Sequence, residues 1–173
     1  MTNGLRDELK LTGSFQSIEQ EAFLNLQRTA WTLLHEASAM LKPFGLSSTQ
    51  YNVLRILRGA EPEGLPCKDV AGRMVTQLPD VTRLLDRLEQ RGLIERSRRS
   101  SDRRVVTTQI TQKGKKALAD LDAPMLELHV QQLAHLGRDQ LQTFVQLLEA
   151  ARNRGERTDP AEGRAGSSQG GNE

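Results

Sequence analysis

The pattern of apolar and polar positions predicts four helices, a pair of strands and two further helices. Apolar side chains recur every three or four residues from Ile18 to Leu41, which is the spacing of one helix face. Shorter helices are expected near residues 48–58, 67–75 and 77–91. Gly92 ends the third of these, and strands at 93–96 and 105–110 follow. Another helix starts after Thr111, where Pro124 is expected to kink or split it, and a last helix follows a break at Gly137.

The helix predicted to start near Gln77 or Leu78 has two unlike faces. Val81, Leu84, Leu85 and Leu88 fall within about 100° of one another, and Arg83, Arg87 and Gln90 lie opposite them. Pro79 fits the first turn, where a missing N–H costs little. Two interpretations stay open. The polar face either binds a polyanion or carries local ion pairs, such as Asp80 with Arg83 and Asp86 with Arg87.

Charge is distributed unevenly along the chain. Residues 68–116 hold thirteen Lys and Arg against six Asp and Glu, a net of +7. Residues 1–66 carry −1 and residues 117–173 carry −4, so the overall +2 conceals a basic segment between two acidic ones. A basic helix beside a basic hairpin suits a polyanion with a groove, and duplex DNA is the first candidate.

The turn between the two predicted strands concentrates arginine. Residues 96–104 contain five arginines, with Asp102 as the one acidic residue within that turn. Like charges crowded into a tight turn are unfavourable unless an anion neutralises them, and a hairpin tip in the minor groove of DNA meets such an anion. A solvated basic loop without a partner is the alternative.

Two short helices joined by a tight turn and followed by a hairpin indicate a winged helix-turn-helix. The predicted fold class is therefore mainly α (α+β). The helices at the two ends of the chain carry broad apolar faces, which either form a dimerisation lobe or cover the core of one monomer. Aromatic residues make up only 3% of the chain, which argues against a stacking platform for single-stranded nucleic acid.

The residues that other protein classes need are missing from the sequence. One cysteine, Cys67, excludes an intramolecular disulfide framework, and the three histidines stand outside any metal-ligand constellation. Gly-rich phosphate loops, GxSxG and HExxH are absent, so we expect no catalytic residue, no metal and no cofactor. No signal-peptide core or run of roughly 18 apolar residues occurs, so we expect a cytoplasmic protein without a membrane partner.

Three motifs, in this order and spacing, resemble the MarR-type transcriptional regulators. Residues 46–51, LSSTQY, are similar to the start of that family's second helix, and residues 81–96, VTRLLDRLEQRGLIER, to its recognition helix. Asp102–Arg104 and Ile110–Gly114 resemble its wing and the start of the helix that follows. The resemblance runs from about residue 18 to 152. It implies a dimeric winged-helix regulator of double-stranded DNA.

The resemblance also implies roles for individual residues. The residues that would face the major groove are Gln77, Asp80, Thr82, Arg83 and Arg87. Those of the wing are Arg104, which would enter the minor groove, Asp102, which would orient it, and Arg98, Arg99 and Arg103, which would hold the DNA backbone. One departure concerns Asp80, because the family often opens this helix with a small hydroxyl residue and a proline. An acid there either repels phosphate or accepts from cytosine N4, which leaves the operator sequence open.

Many MarR-type regulators release DNA when a small phenolic or anionic effector binds between the dimer helices and the DNA-binding lobe. The candidates for such a site are Trp31, His35 and Tyr51, and the first two share a helix face. Packing in the core or at the dimer contact is the alternative. Other members sense oxidants through a cysteine, and Cys67 near a predicted helix start is the candidate, with a plain cysteine as the alternative.

The predicted organisation is one domain between two flexible ends. Residues 1–16 form a flexible arm, and residues 153–173 lack an apolar period and form a disordered tail. The MarR-type domain at 17–152 divides into dimerisation helices, 17–41 and 111–152, and a DNA-binding lobe, 46–110. We predict a homodimeric repressor on a pseudo-palindromic operator, released by an effector. The alternatives are a helical dimeric adaptor or an oxidant sensor, and an enzyme is the least favoured class.

Overall fold

In the computed structural model, the described residues are 4–76, 80–98 and 106–153, with Arg98 described by its backbone alone. The chain divides into two units, Met1–Gln132 and Leu133–Glu173. The helices are α1 (Leu5–Glu8), α2 (Ile18–Leu41), α3 (Ser48–Arg58), α4 (Cys67–Arg73), α5 (Val81–Gln90), α6 (Gln112–Leu133) and α7 (Gly137–Arg152). Short 3-10 turns at Lys42–Phe44 and Ala134–Leu136 follow α2 and α6.

A three-stranded antiparallel sheet completes the first unit. Its strands are β1 (Leu65–Pro66), β2 (Ile94–Arg98) and β3 (Val106–Ile110), in the order β1-β3-β2. Ile94 pairs with Ile110 and Arg98 with Val106, so the two predicted strands are confirmed as a hairpin. Strand β1 was not predicted, because two residues are too few to show an alternating pattern. The mostly helical chain with this small sheet confirms the predicted fold class.

The core of the first unit lies where α3, α4, α5 and α6 meet the sheet. It is aliphatic, as the low aromatic content requires, and α5 contributes its buried face. The fully buried leucines are Leu41, Leu54, Leu57, Leu85, Leu88, Leu118 and Leu121. The two leucines that α3, α5 and α6 each contribute are three residues apart, which is why the helical period located them in the sequence.

Local capping sets several of the helix ends. Ser17 caps α2 by accepting a hydrogen bond from the N–H of Gln20 at 3.2 Å. Ser47 and Gln50 form a reciprocal capping box at the start of α3, which satisfies two backbone donors at once. Gly45 and Gly92 take left-handed conformations, φ +64° and φ +67°, after α2 and α5.

The structure corrects three local predictions. Helix α5 begins at Val81, three or four residues later than expected, and the side chain of Asp80 caps it. Helix α6 continues through Pro124, so the predicted split is wrong, while the alternative of a kink stays a prediction. Residues 1–16 were given no element, yet they contain α1, whose Leu5 is buried.

In the second unit, the residues that the structure describes form a 3-10 turn and α7. Gly137 takes a positive φ of 71° at the predicted break. Leu141, Phe144 and Leu148 are half-buried, while Val145 and Leu147 are exposed. Among the helices that the structure describes, none is both long enough and apolar enough to cross a membrane. The predicted tail, from residue 154 on, lies outside the described residues.

Candidate nucleic-acid interface

Helix α5 presents a polar face outward because its other face is buried. Val81, Leu85 and Leu88 are buried in the core, as the helical period predicted. Thr82 and Arg87 are exposed, and the side chain of Arg83 is 81% exposed. Three of the predicted groove residues are therefore brought to one accessible surface of a single helix.

Asp80 makes two contacts with the residue three positions after it. Its Oδ1 accepts a hydrogen bond from the backbone N–H of Arg83 at 3.0 Å, which caps α5. Its Oδ2 lies 2.9 Å from Nε of Arg83. The ion pair that the sequence left as an alternative is therefore present. Asp86, by contrast, pairs with Arg96 rather than with its neighbour Arg87.

Arg96 braces β2 against α5. Its Nη1 lies 2.7 Å from Oδ1 of Asp86 and 3.4 Å from Oε2 of Glu89. Its Nη2 donates to the carbonyl oxygen of Thr82 at 3.5 Å, and the side chain is only 25% exposed. The sequence had counted Arg96 among the hairpin arginines that need an external anion. That interpretation is wrong for this residue, because two carboxylates of α5 neutralise it.

Two contacts that sequence reasoning missed hold α4 and α5 in place. Oδ1 of Asn52, in α3, accepts a hydrogen bond from the N–H of Val75 at 3.1 Å, just after α4. Sγ of Cys67, the first residue of α4, lies 3.9 Å from Oγ1 of Thr82. Both contacts join residues 15 or more positions apart, so no local pattern in the sequence pointed to them.

The C-terminal end of α5 is hydrogen-bonded to the segment between α2 and α3 and to the start of α6. Nη1 of Arg91 donates to the carbonyl oxygen of Gly45 at 2.8 Å, and Nζ of Lys113 donates to that of Arg91 at 2.8 Å. Oγ1 of Thr111 donates to the carbonyl oxygen of Gly92 at 2.8 Å and accepts from the N–H of Gly114. The orientation of the polar face is therefore set at both ends of α5.

Gly114 allows the start of α6 to approach the strand. A Cβ at this position would lie 2.3 Å from the carbonyl oxygen of Leu93, a backbone atom that cannot rotate away. Within the motif at residues 110–114, Thr111 caps α6, and Gly114 permits α6 to pack closely against the backbone at the start of β2.

The other predicted DNA contacts lie outside the described residues. They are Gln77, Arg99, Asp102, Arg103 and Arg104, together with the side chain of Arg98.

The three effector candidates do not share one environment. The rings of Trp31 and His35 stack with centroids 5.2 Å apart and an angle of 13° between their planes. Both residues are exposed on α2, and Cζ of Arg28 lies 5.5 Å from the Trp31 ring centroid. Tyr51 is instead buried in the core. Trp31 and His35 share a face of α2 as predicted, while Tyr51 packs in the core as the alternative interpretation expected.

A separate cleft of about 360 Å³ lies beside α3, β3 and the start of α6. Its polar lining includes Glu61, Glu95, Gln109 and Lys115, and Glu61 and Lys115 form an ion pair. None of the effector candidates lines it. Within the ranges described above, no three His, Cys, Asp or Glu side chains gather as metal ligands.

The sequence and the fold are similar to those of known proteins. The model of the MarR family matches residues 46–106, which run from just before α3 through α4, α5 and β2 to the first residue of β3. The crystal structure of a MarR transcription factor from Planctomyces limnophilus is 42% identical in sequence. That match covers 79% of this chain and 99% of the other, with a TM-score of 0.60.

Two further proteins are similar over different lengths. The transcriptional repressor MprA of Escherichia coli (strain K12) is 32% identical over 92 residues, which are 53% of this chain and 52% of MprA. The crystal structure of CouR from Rhodococcus jostii RHA1, bound to p-coumaroyl-CoA, is 25% identical with a TM-score of 0.68. The match covers 81% of this chain and 97% of CouR. This chain thus spans nearly all of two of these proteins but only about half of MprA.

Proposed function

The chain belongs to the MarR family of transcriptional regulators, and from that premise we propose that it is a homodimeric repressor of a pseudo-palindromic, double-stranded DNA operator. One observation carries the proposal, namely the two-sided α5. Its apolar face is locked into the core, and its exposed face offers Thr82, Arg83 and Arg87. A recognition helix needs this combination of a fixed orientation and a polar reading surface.

In this proposal the exposed face of α5 lies in the major groove. The fork of an arginine matches the two acceptors on a guanine edge, so Arg83 and Arg87 can read bases or grip phosphate. Asp80 lies at the N-terminal end of the same surface, and the proposal gives Gln77 a contact in the same groove. The wing residues with the same target are Arg104 in the minor groove, Asp102 beside it, and Arg98, Arg99 and Arg103 on the phosphates.

Charge supports DNA as the partner. Each protomer contributes the +7 segment at residues 68–116, and a dimer contributes it twice. Binding that neutralises about 6–10 phosphates loses about 10³–10⁵-fold in affinity between 50 and 200 mM salt. We expect a salt dependence of that order.

The dimer in this proposal is built by residues 17–41 and 111–152. Helices α2, α6 and α7 carry exposed apolar side chains along their lengths, which are Ile18, Phe23, Leu26, Leu34, Leu126, Val130, Val145 and Leu147. A second copy of the chain would cover such surfaces. Two equal reading helices then favour half-sites centred roughly 10 base pairs apart.

We further propose that a small phenolic or anionic effector releases the DNA. The stacked Trp31 and His35, with Arg28 over the indole, offer an aromatic surface next to a positive charge. CouR, whose bound p-coumaroyl-CoA is both phenolic and anionic, supports this class of ligand. Tyr51 is the weaker candidate of the three, because it would have to leave the core to reach a ligand.

The effector can be tested directly because the chain has one tryptophan. Titration with p-coumarate should quench or shift the fluorescence of Trp31, and the same ligand should weaken operator binding. His35→Ala should weaken the fluorescence response while leaving operator binding without ligand intact. An unchanged fluorescence with every phenolic acid tested would remove Trp31 and His35 from the effector site.

Selection of bound duplexes from a random pool tests the central proposal. The expected result is an enriched two-fold symmetric sequence. Arg83→Ala should relax the preference at particular positions by about 1–3 kcal/mol, the value of one bidentate contact. Arg104→Ala should weaken binding more evenly. If neither variant changes affinity for the selected site while both stay folded, the contact assignment is wrong.

If no sequence were enriched from the pool, the helical adaptor would become the favoured function. We propose a cytoplasmic location because the DNA would be found there, and that reason would then be lost. The oxidant-sensor alternative has its own observation, since Sγ of Cys67 lies 3.9 Å from Oγ1 of Thr82, an exposed residue of α5. If Cys67→Ser abolished a loss of operator binding caused by hydrogen peroxide, that alternative would gain support. We assign no enzymatic activity, because the family's members are regulators of transcription.

A further inference from the structure

The contacts between Asp80 and Arg83 restrain an arginine that would otherwise move freely. The carboxylate holds the backbone N–H of Arg83 through Oδ1 and the guanidinium through Oδ2, at 3.0 Å and 2.9 Å. One carboxylate therefore contacts both the backbone and the side chain of Arg83, which limits the rotamers that this side chain adopts relative to α5. An exposed arginine without such a tie would sample many rotamers, and binding would have to select one of them.

The position of the ion pair on the guanidinium matters. A guanidinium carries five N–H donors, one on Nε and four on the two terminal nitrogens. Asp80 engages Arg83 at Nε, and the side chain is 81% exposed. The fork formed by Nη1 and Nη2 therefore points away from the contact and stays accessible to a ligand.

We propose that Asp80 is a positioning residue that presents this fork to a guanine, so that the protein reads a G·C pair at one position of each half-site. Guanine offers two acceptors, N7 and O6, in the major groove, which match two parallel N–H donors. The pair of Asp80 and Arg83 has no net charge, so it attracts a phosphate less than a lone arginine does. The inference rests on the proposed function, because it requires α5 to lie in the major groove.

A direct contact from Asp80 to cytosine is the competing role. Both carboxylate oxygens already hold groups of Arg83, one on the backbone and one on the side chain. Accepting from a cytosine amino group would compete with the cap or with the ion pair. The structure thus favours an action of Asp80 through Arg83.

Substitution of Asp80 by serine separates capping from pairing. Serine caps a helix about as well as aspartate, but it carries no charge to hold the guanidinium. Affinity is measured for the selected operator and for operators with each base changed, using wild type, Asp80→Ser, Arg83→Ala and the double variant. Asp80→Asn repeats the test, since asparagine also caps without a charge, and melting curves check that each variant is folded.

We expect Arg83→Ala to abolish the guanine preference at one position of each half-site. Asp80→Ser should reduce that preference by about threefold to tenfold, the effect of freeing one rotamer-rich side chain. Its affinity for unrelated DNA should stay equal or rise, because a negative charge is gone. In the Arg83→Ala background, Asp80→Ser should leave all base preferences unchanged.

Asp69→Ser is the matched control for loss of charge, because Asp69 is an exposed carboxylate on the neighbouring α4. It should leave base preference unchanged. A wild-type guanine preference in both Asp80→Ser and Asp80→Asn would overturn the proposal. So would a change of preference caused by Asp80→Ser in the Arg83→Ala background, which would reveal a direct base contact. A wild-type protein that selects no sequence would instead refute the proposed function.

Discussion

Helices α5 and α7 are both amphipathic, but they differ in what covers their apolar faces. In α5, Leu85 and Leu88 are fully buried within one chain. In α7, no side chain is buried among the residues that the structure describes, and Leu147 is 63% exposed. The same sequence period therefore has two outcomes. The apolar face of α5 is buried within one protomer. The apolar side chains of α7 are left exposed, and we expect a second protomer to cover them in the proposed dimer.

The difference also separates two kinds of free energy. Burial in α5 contributes to folding of a single chain, while burial of α7 would contribute to association and depend on protein concentration. Substitutions in the two helices should then act on different measurements. The following predictions use that contrast, and they run from the largest expected effect to the smallest.

Leu147→Glu in α7 should break the dimer. A buried leucine is worth about 1.5–3 kcal/mol, so two copies would lose about 3–6 kcal/mol of association free energy, with a further cost for the introduced charge. Sedimentation equilibrium at micromolar concentration measures this as a shift to monomer. Gln142→Glu adds the same charge at a polar position of α7 and should change the association less. A dimer of unchanged affinity in Leu147→Glu would place the interface elsewhere.

Leu85→Ala should damage the lobe itself. Removal of a fully buried leucine costs about 2–5 kcal/mol, because the lost burial adds to the cost of the cavity. Urea unfolding at fixed protein concentration measures the loss, and Leu84→Ala, at a half-buried position of the same helix, should cost less. Equal costs at the two positions would contradict the burial described for α5.

Gly114→Ala should destabilise the junction of α6 with β2. The added methyl group would lie 2.3 Å from the carbonyl oxygen of Leu93, so the backbone must shift, at about 1–3 kcal/mol. Gly72→Ala is the matched control, since a Cβ in that helix meets nothing within 4 Å. It should stabilise α4 by about 0.5–1 kcal/mol. Thermal melts of the two variants should move in opposite directions.

Arg96→Ala and Arg87→Ala should have opposite consequences although both remove an arginine. Arg96 is 25% exposed and joins two carboxylates of α5, so its loss should cost about 1–2 kcal/mol of folding free energy. Arg87 is exposed, so its loss should change stability by less than about 0.5 kcal/mol and act on DNA binding instead. Chemical unfolding and gel shift on the same preparations separate the two effects.

The smallest effect is expected at the ion pair between α3 and α6. Arg58 donates two hydrogen bonds of 2.7 Å to Asp122, which lower the pKa of that carboxyl below its usual value. Because the folded-state pKa is depressed, the stabilisation is present above about pH 4 and is lost as the pH falls through the folded value. Both side chains are partly exposed, so we expect about 0.2–1 kcal/mol.

The measurement is the difference in unfolding free energy between wild type and Asp122→Asn across pH. It should be constant between pH 5 and 7 and shrink below about pH 4. A difference that persisted at about pH 2 would contradict the role of the charge.

The sequence by itself determined the features that depend on local period and capping. The 3.6-residue period separates Leu85 from Arg83 on α5, and Ser47 and Thr111 cap their helices through bonds to residues three positions away. The strong basic segment at 68–116 needs only a count of residues. Such features can be predicted from the sequence because the backbone geometry within one helix is the same in every fold.

The tertiary structure decided which partner each polar group finds. Arg96 belongs to α5 rather than to an external anion, Asn52 holds the turn after α4, and Tyr51 lies in the core instead of beside Trp31. Each outcome joins residues from different elements. Their distance is set by how the helices pack against the sheet, and packing depends on the shapes of many side chains at once, which no local pattern records.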